Sequence, residues 1–251
     1  MSQQTNSKYN KAVGLFLLGF TLAFGFIGAA WILVKGAHEV VNYDQRITVK
    51  GYAERSMKSN LAIWKGQYSV TQPDLSKAYQ EIKQKLPTVL EHIVSQGIDK
   101  GEIESLGITK KTNYQRNEKG VTTDKIISYT FTQNFRVKST KVSKVAILAN
   151  RFSQLLEKGI NASSSSPKYF YTKASELKLE MLKEATGNAR RRAEMLVVGG
   201  SDKVGRLRSA RQGVFQITAE HSNSVSGYGV FDTSSINKVI KAIVTIEFTI
   251  Q

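Results

Sequence analysis

The sequence predicts an α+β fold behind an N-terminal transmembrane helix, on three observations. Residues 12–34, AVGLFLLGFTLAFGFIGAAWILV, run for 23 positions without a charge in a chain that is 22% charged. Beyond them, apolar and polar residues alternate with period two in separate runs, which marks half-buried antiparallel strands. Between those runs apolar residues return at helical spacing, which marks amphipathic helices.

At about 1.5 Å per residue, a helix over the apolar run covers the roughly 30 Å hydrocarbon core with some tilt. Lys8 and Lys11 precede it and Lys35 closes it. A cleaved signal peptide is the competing reading, with Gly36 and Ala37 as the small residues that follow. The apolar core of such a peptide is about 7–15 residues, shorter than this run. The segment therefore reads as an uncleaved signal-anchor, with a cytoplasmic leader over 1–11, a span over 12–34 and a domain over 45–251. A leader carrying only positive side-chain charge favours the cytoplasm, and a long domain after the span translocates largely regardless of its charge. The expectation is a single-pass protein of a bacterial inner membrane with its C-terminal domain in the periplasm or otherwise outside the cytoplasm. Inside the span, Gly19 and Ala23, and again Gly25 and Ala29, stand four apart, a spacing that lets helices approach closely in lipid.

Residues 1–35 hold three of the 36 basic residues and none of the 20 acidic ones, so the exported part keeps a net +13. An excess of this size favours anionic partners or serves as a solubility surface. The chain has no cysteine. That excludes disulfides, thiolate metal sites, cysteine nucleophiles and a lipid-modified cysteine.

The exported part opens with two strand patterns. Ile47, Val49, Gly51 and Ala53 alternate with polar neighbours, as do Ala62, Trp64, Tyr68 and Val70. Leu75, Ala78, Ile82, Leu86, Val89 and Ile93 then fall on one helical arc, with Asp74 placed to cap it, Gly97 to end it and Pro87 inside it. A polar strand over 103–114 leads through NEKG at 117–120 into a clear strand, in which Ile127, Tyr129, Phe131, Phe135 and Val137 share one face. Thr140 stands where a second helix would be capped, with Val142, Val145, Ala149, Phe152 and Leu156 as its inner stripe and Gly159 as its end. Two successive units of strand, strand and helix suggest an internal duplication.

A short serine run at 163–166 and the strand-like KYFYT at 168–172 follow. The longest helix is expected at about 174–198, with Leu182, Ala185, Ala189, Ala193 and Leu196 inward and Gly199-Gly200 as its stop. A strand near 203–212, a Gly/Ser-rich stretch from Glu220 to Ser235 and an alternating final strand over 241–250 complete the chain.

The order of ITVKGYAE at 47–54, NLAIW at 60–64, ATGNARRRAEMLVVGG at 185–200, KVGRL at 203–207 and SINKVIKAIVTIEFTI at 235–250 resembles the SIMPL-domain (DUF541) family over about residues 45–251. The resemblance implies a two-part α+β fold of antiparallel sheets backed by helices, with sub-units near 45–160 and 161–251. It also implies an envelope or periplasmic protein that self-assembles, and it carries over no catalytic residues. Members often have a cleaved signal peptide where this chain has a long apolar span, and Asn60 stands where an acidic residue is frequent.

The residues point to no enzyme chemistry. His38, His92 and His221 lack metal-ligand spacing, and no G-x-S-x-G elbow occurs. Gly227-Tyr-Gly229 lacks the third glycine and helix start of a phosphate cradle. No cofactor and no metal are expected. Arg190, Arg191, Arg192, Arg206, Arg208 and Arg211 are a candidate anion-binding edge, against the alternative of a solvated helix end whose cations complement the helix dipole. Candidate self-association residues are Gly19, Ala23, Gly25 and Ala29 in the span and Tyr169, Phe170, Tyr171, Tyr228 and Phe231 in the domain. The sequence thus leads to a membrane-anchored, non-enzymatic envelope protein that forms a homo-oligomer, with a closed ring as one arrangement. The alternative is a basic module for an anionic envelope polymer, lipid or nucleic acid, with nucleic acid the least expected partner.

Overall fold

The computed structural model describes residues 3–42, 45–200 and 202–251, with side chains for 16–35, 45–200 and 202–251. The side chains of Lys8, Lys11 and His38, residues 12–15 of the expected span, and Gly36 and Ala37 therefore lie outside the described side chains. The fold is α+β. Helix α1 (Gln3–Asn42) contains the stretch Phe16–Lys35, long and apolar enough to cross a membrane and with none of that window buried. Lys35 places its ammonium 5.1 Å from the Trp31 ring centre, an aromatic-cation pair suited to an interface.

The chain then divides into two compact units. The first holds Met1–Gly51, Thr186–Arg211 and Val244–Gln251, and the second holds Tyr52–Ala185 and Gln212–Ile243. Their strands are β1 (Arg46–Lys58), β2 (Leu61–Gln72), β3 (Ile103–Arg116), β4 (Thr122–Ser139), β5 (Asn161–Ser164), β6 (Lys168–Phe170), β7 (Val204–Gln212), β8 (Gln216–Ala219), β9 (Val230–Phe231) and β10 (Asn237–Ile250). One five-stranded sheet runs β1-β10-β8-β9, with β7 also on β10, and the other runs β3-β4-β2-β5, with β6 also on β2. β1 and β2 are consecutive but belong to different sheets, so the repeated strand-strand-helix pattern is not a repeated pairing.

In the second unit, helix α2 (Leu75–Ser95) forms as its spacing predicts. Asp74 accepts from Lys77 N at 2.8 Å, Ala78, Ile82, Val89 and Ile93 are buried, and Gly97 adopts the left-handed φ of 89° just after the helix. α3 (Val142–Arg151) begins differently. Its cap position is Lys141, with no side-chain cap; Thr140 contributes only its carbonyl, which accepts from Val142 N. After Phe152 the chain tightens into a 3-10 turn to Lys158, and this moves the inner stripe. With three residues per turn Leu155 follows Phe152 inward, and Leu156, expected inside, is exposed. α2 and α3 cover the face of β2 and β4 that carries Trp64, Tyr68, Phe131, Phe135 and Val137.

α4 (Ala174–Val197) buries Leu177, Met181, Ala185, Ala189, Ala193 and Val197, a strict i+4 row. An i+4 row drifts about 40° per step around the helix, so its ends depart from the straight face drawn through Leu182 and Leu196. Leu182 is half-buried and Leu196 exposed. Arg55 on β1 pairs with Glu180 and Glu184, and Arg192 donates to Lys50 O at 3.1 Å, so α4 runs antiparallel to β1.

Candidate functional site

The aromatic candidates divide by burial. Tyr169 lies in β6, donates its amide to Thr233 O at 2.7 Å, and packs in the core of the second unit, so its side chain is not open to a neighbour. Phe170 and Tyr171 are half-buried. Tyr228 is 100% exposed and Phe231 58%. They belong to the segment 213–231, whose base is firmly held. β8 pairs antiparallel with β10 and parallel with β9, and the buried Gln216 amide donates to Ser226 O at 2.8 Å. Gly229 adopts φ 90° where a β-carbon would press on Phe215 O, so the close turn before β9 needs glycine. Lys178, Val214, Phe215, Ile217, Tyr228 and Phe231 border a groove of about 460 Å³, with the Lys178 ammonium 5.5 Å from the Phe215 ring centre. Val214, in the wall of the same groove, is exposed as well. A fixed base with large apolar side chains at its tip is the arrangement a docking surface needs, since little ordering remains to oppose binding.

Beneath that loop, Lys238 is buried and donates to Asp232 O at 2.7 Å and to Asp232 Oδ2 at 3.1 Å. Burial acts to raise the Asp232 carboxyl, but hydrogen bonds from the Ser234 hydroxyl and amide, Lys238 and Ser235 outweigh it and hold the group well below the usual carboxylate range. The pair ties the end of β9 to β10 and has no exposed face for chemistry. Sequence spacing gave no sign of it, because Lys238 sits in a strand whose other inward residues are apolar.

The basic candidates lie in the first unit but do not form one cluster. Arg190 pairs with Glu194 at 3.1 Å and lies over the Phe248 ring at 6.0 Å. Arg192 is directed to Lys50 O, and Arg191 faces away from the buried Ala189 and Ala193. On β7, Arg206 and Arg208 share one face by strand parity and Arg211 takes the other. Within the span, Gly19 and Ala23 lie on one line of α1, and Gly25 and Ala29 on another about 120° around the helix at 100° per residue. A β-carbon at Gly19 or Gly25 would meet nothing, so both lines are open.

One comparison decides the family. The profile of SIMPL, described as a protein of unknown function (DUF541), matches residues 47–245, from the second residue of β1 into the last strand. The chain belongs to the SIMPL family. No curated protein matches it.

Among the described residues no three His, Asp or Glu side chains come together as a metal site. His92 is buried on α2, its Nε2 is 3.2 Å from Arg151 O, and its ring stands edge-on to Phe152. Burial lowers its pKa, partly opposed by the bond to Arg151 O and aided by Lys158. That is a satisfied core histidine, donating from Nε2 to a carbonyl oxygen. His221 sits in a left-handed turn at φ 63°.

Proposed function

We propose that this SIMPL-family protein is a single-pass, membrane-anchored and non-enzymatic envelope protein whose domain lies outside the cytoplasm and assembles with copies of itself. The observation that carries the reading is the exposed apolar surface of Val214, Tyr228 and Phe231, which border one groove, on a loop whose base is locked by Gln216, Gly229 and Asp232. Monomeric surfaces rarely leave such side chains in one patch without a partner. Open strand edges add capacity for further contact, since β3 is an edge strand along its full length. The anchor helps because a tether raises the effective concentration of weakly associating domains. A head-to-tail contact between two different patches would close into a ring where its rotation allows.

The test is the mass of the particle. Full-length protein in detergent and residues 36–251 without the span are measured by light scattering at micromolar concentration. A discrete oligomer of both supports assembly through the domain. A monomeric 36–251 beside an oligomeric full-length protein moves assembly to the span, and two monomers remove the proposal.

A further inference from the structure

The geometry points to a second, reversible membrane contact: the C-terminal end of α4 rests on the anionic headgroups of the bilayer that α1 spans. This rests on the reading of α1 as an inserted anchor and goes beyond self-assembly.

Three large apolar side chains stand out at that helix end, Met195 at 77%, Leu196 at 67% and Val198 at 78% exposure. Arg191, Met195 and Val198 follow at i, i+4 and i+7, on the side opposite the buried Ala189 and Ala193. Toward this end the inner face of the helix is filled by Ala185, Ala189, Ala193 and Val197, so these apolar groups are not displaced core residues. Over residues 186–211 there are seven basic side chains and two acidic ones, and one of those acids, Glu194, is engaged by Arg190.

The contacts of the first unit fix where this end lies. Arg192 reaches Lys50 O on β1, and Arg190 lies over Phe248 near the end of β10. Ile250 N donates to Gln45 O, and Lys203 and Gln251 exchange both backbone bonds. The α4 tip and Lys203 are therefore at the end of the strands where the chain arrives from α1. Asn42, the last residue of α1, is three residues before Gln45, which limits their separation to about 11 Å. The seven helical residues after Lys35 add about 10 Å, so Gln45 lies within about 22 Å of the end of the apolar stretch.

Apolar side chains beside cations, at the end of a domain tethered within about 22 Å of a span, match the chemistry of a phospholipid surface. The apolar groups enter the headgroup boundary and the cations meet phosphate. A second copy docking symmetrically on the same patch would bring two strongly basic surfaces together, so charge complementarity favours lipid.

Because the chain has no cysteine, one introduced thiol gives one label. Full-length Met195→Cys and, separately, Phe24→Cys would carry an environment-sensitive fluorophore in bilayer nanodiscs of phosphatidylglycerol and phosphatidylethanolamine, with nitroxide-bearing lipid as quencher. Quenching is expected at both sites. At Met195→Cys alone it should weaken in phosphatidylcholine discs and in high salt. Arg191→Gln and Lys203→Gln should each lower the docked-to-free ratio about fivefold, as expected for one cation near an anionic surface. Quenching at Phe24→Cys but not at Met195→Cys overturns the docking and leaves the anchor intact. A blue-shifted, unquenched label at Met195→Cys means that protein covers the patch, and this also overturns the lipid proposal. Quenching at neither site removes the anchor reading and the docking with it.

Discussion

The indole of Trp64 lies over Gly66, two residues along the same face of β2, where any β-carbon would collide with the ring. The ring needs that space. Its Nε1 donates to Ser164 Oγ at 2.9 Å and its edge meets Phe152 at 4.8 Å, so it is held from β5 on one side and from the turn after α3 on the other. Gly66 pairs with Ser164 itself, which puts the missing side chain, the ring and its acceptor in one layer.

Gly66→Ala should therefore destabilise the second unit by about 1–3 kcal/mol through overpacking. Ser164→Ala should cost about 1–3 kcal/mol, because it removes the acceptor of the buried indole N–H together with the bond that the hydroxyl donates to Ala149 O. Urea unfolding followed by tryptophan fluorescence measures both. A Gly66→Ala protein as stable as the wild type would show that the ring can move aside.

The Asp232–Lys238 pair should behave asymmetrically. Asp232→Asn leaves a buried ammonium without its charge partner and should cost about 3–5 kcal/mol. Acid should act in the same direction. A carboxyl held below its ordinary value near 3.8 adds stability that is complete above that pH and is lost as pH falls further. Unfolding midpoints between pH 6 and pH 3 should drop more steeply for the wild type than for Asp232→Asn.

The elements most legible in the sequence were those with one clean period. α2 was marked by its cap, its stripe and Gly97, and β4 and β10 by alternation over many residues. The inner stripes of α3 and α4 were less legible because both leave the ideal 3.6-residue period. Leu155 replaces Leu156 through the 3-10 turn, and Val197 replaces Leu196 through the i+4 drift. β5 and β8 left no mark because each is only four residues long and neither alternates in burial. β5 also lies in the serine run, which carries no apolar alternation. Among the candidate surface residues, Tyr228 and Phe231 in a Gly/Ser-rich stretch were a visible signal, since large apolar residues there have no local core. Tyr169 carries the same composition signal but sits in a strand that pairs with β2, and only pairing reveals that.

His92 gives a second pH dependence. Its pKa lies below the ordinary 6.5 in the folded state, so the unfolded chain takes up the proton first as pH falls. The stability it allows is complete above about pH 7 and is lost as pH drops through 6.5 toward the folded value. His92→Gln removes the titration together with the ring's packing on Phe152, so the readout is the change of the stability gap with pH and not its size. The gap in stability between wild type and variant should shrink between pH 7.5 and pH 5.5 in urea melts. A constant gap would show that the imidazole does not titrate differently on folding.

Thr218 offers a test in the opposite direction. Its hydroxyl is buried in β8 without a hydrogen-bond partner among the described residues. Removing an unsatisfied buried polar group while keeping its shape should stabilise the fold, and Thr218→Val should gain up to about 1–3 kcal/mol. A loss in thermal melting would mean that the hydroxyl has a partner, such as a bound water.

The exposed loop supplies the test closest to function. Tyr228 and Phe231 flank Gly229 and Val230, and their side chains stand outside the hydrogen bonds that fix the loop base. Replacing both by Ser should leave unfolding within about 0.5 kcal/mol of the wild type, as is usual for surface positions. If this patch is the centre of a self-contact, each truncation should weaken association by about 2 kcal/mol, the scale of an interface hot spot, or roughly 30-fold. Dilution of full-length protein in detergent, with mass photometry as the readout, should then show the double variant falling apart at far higher concentration than the wild type. Equal dissociation of the two proteins, with equal stability, would take assembly away from this loop and direct attention to the β3 edge and to the two small-residue lines of α1.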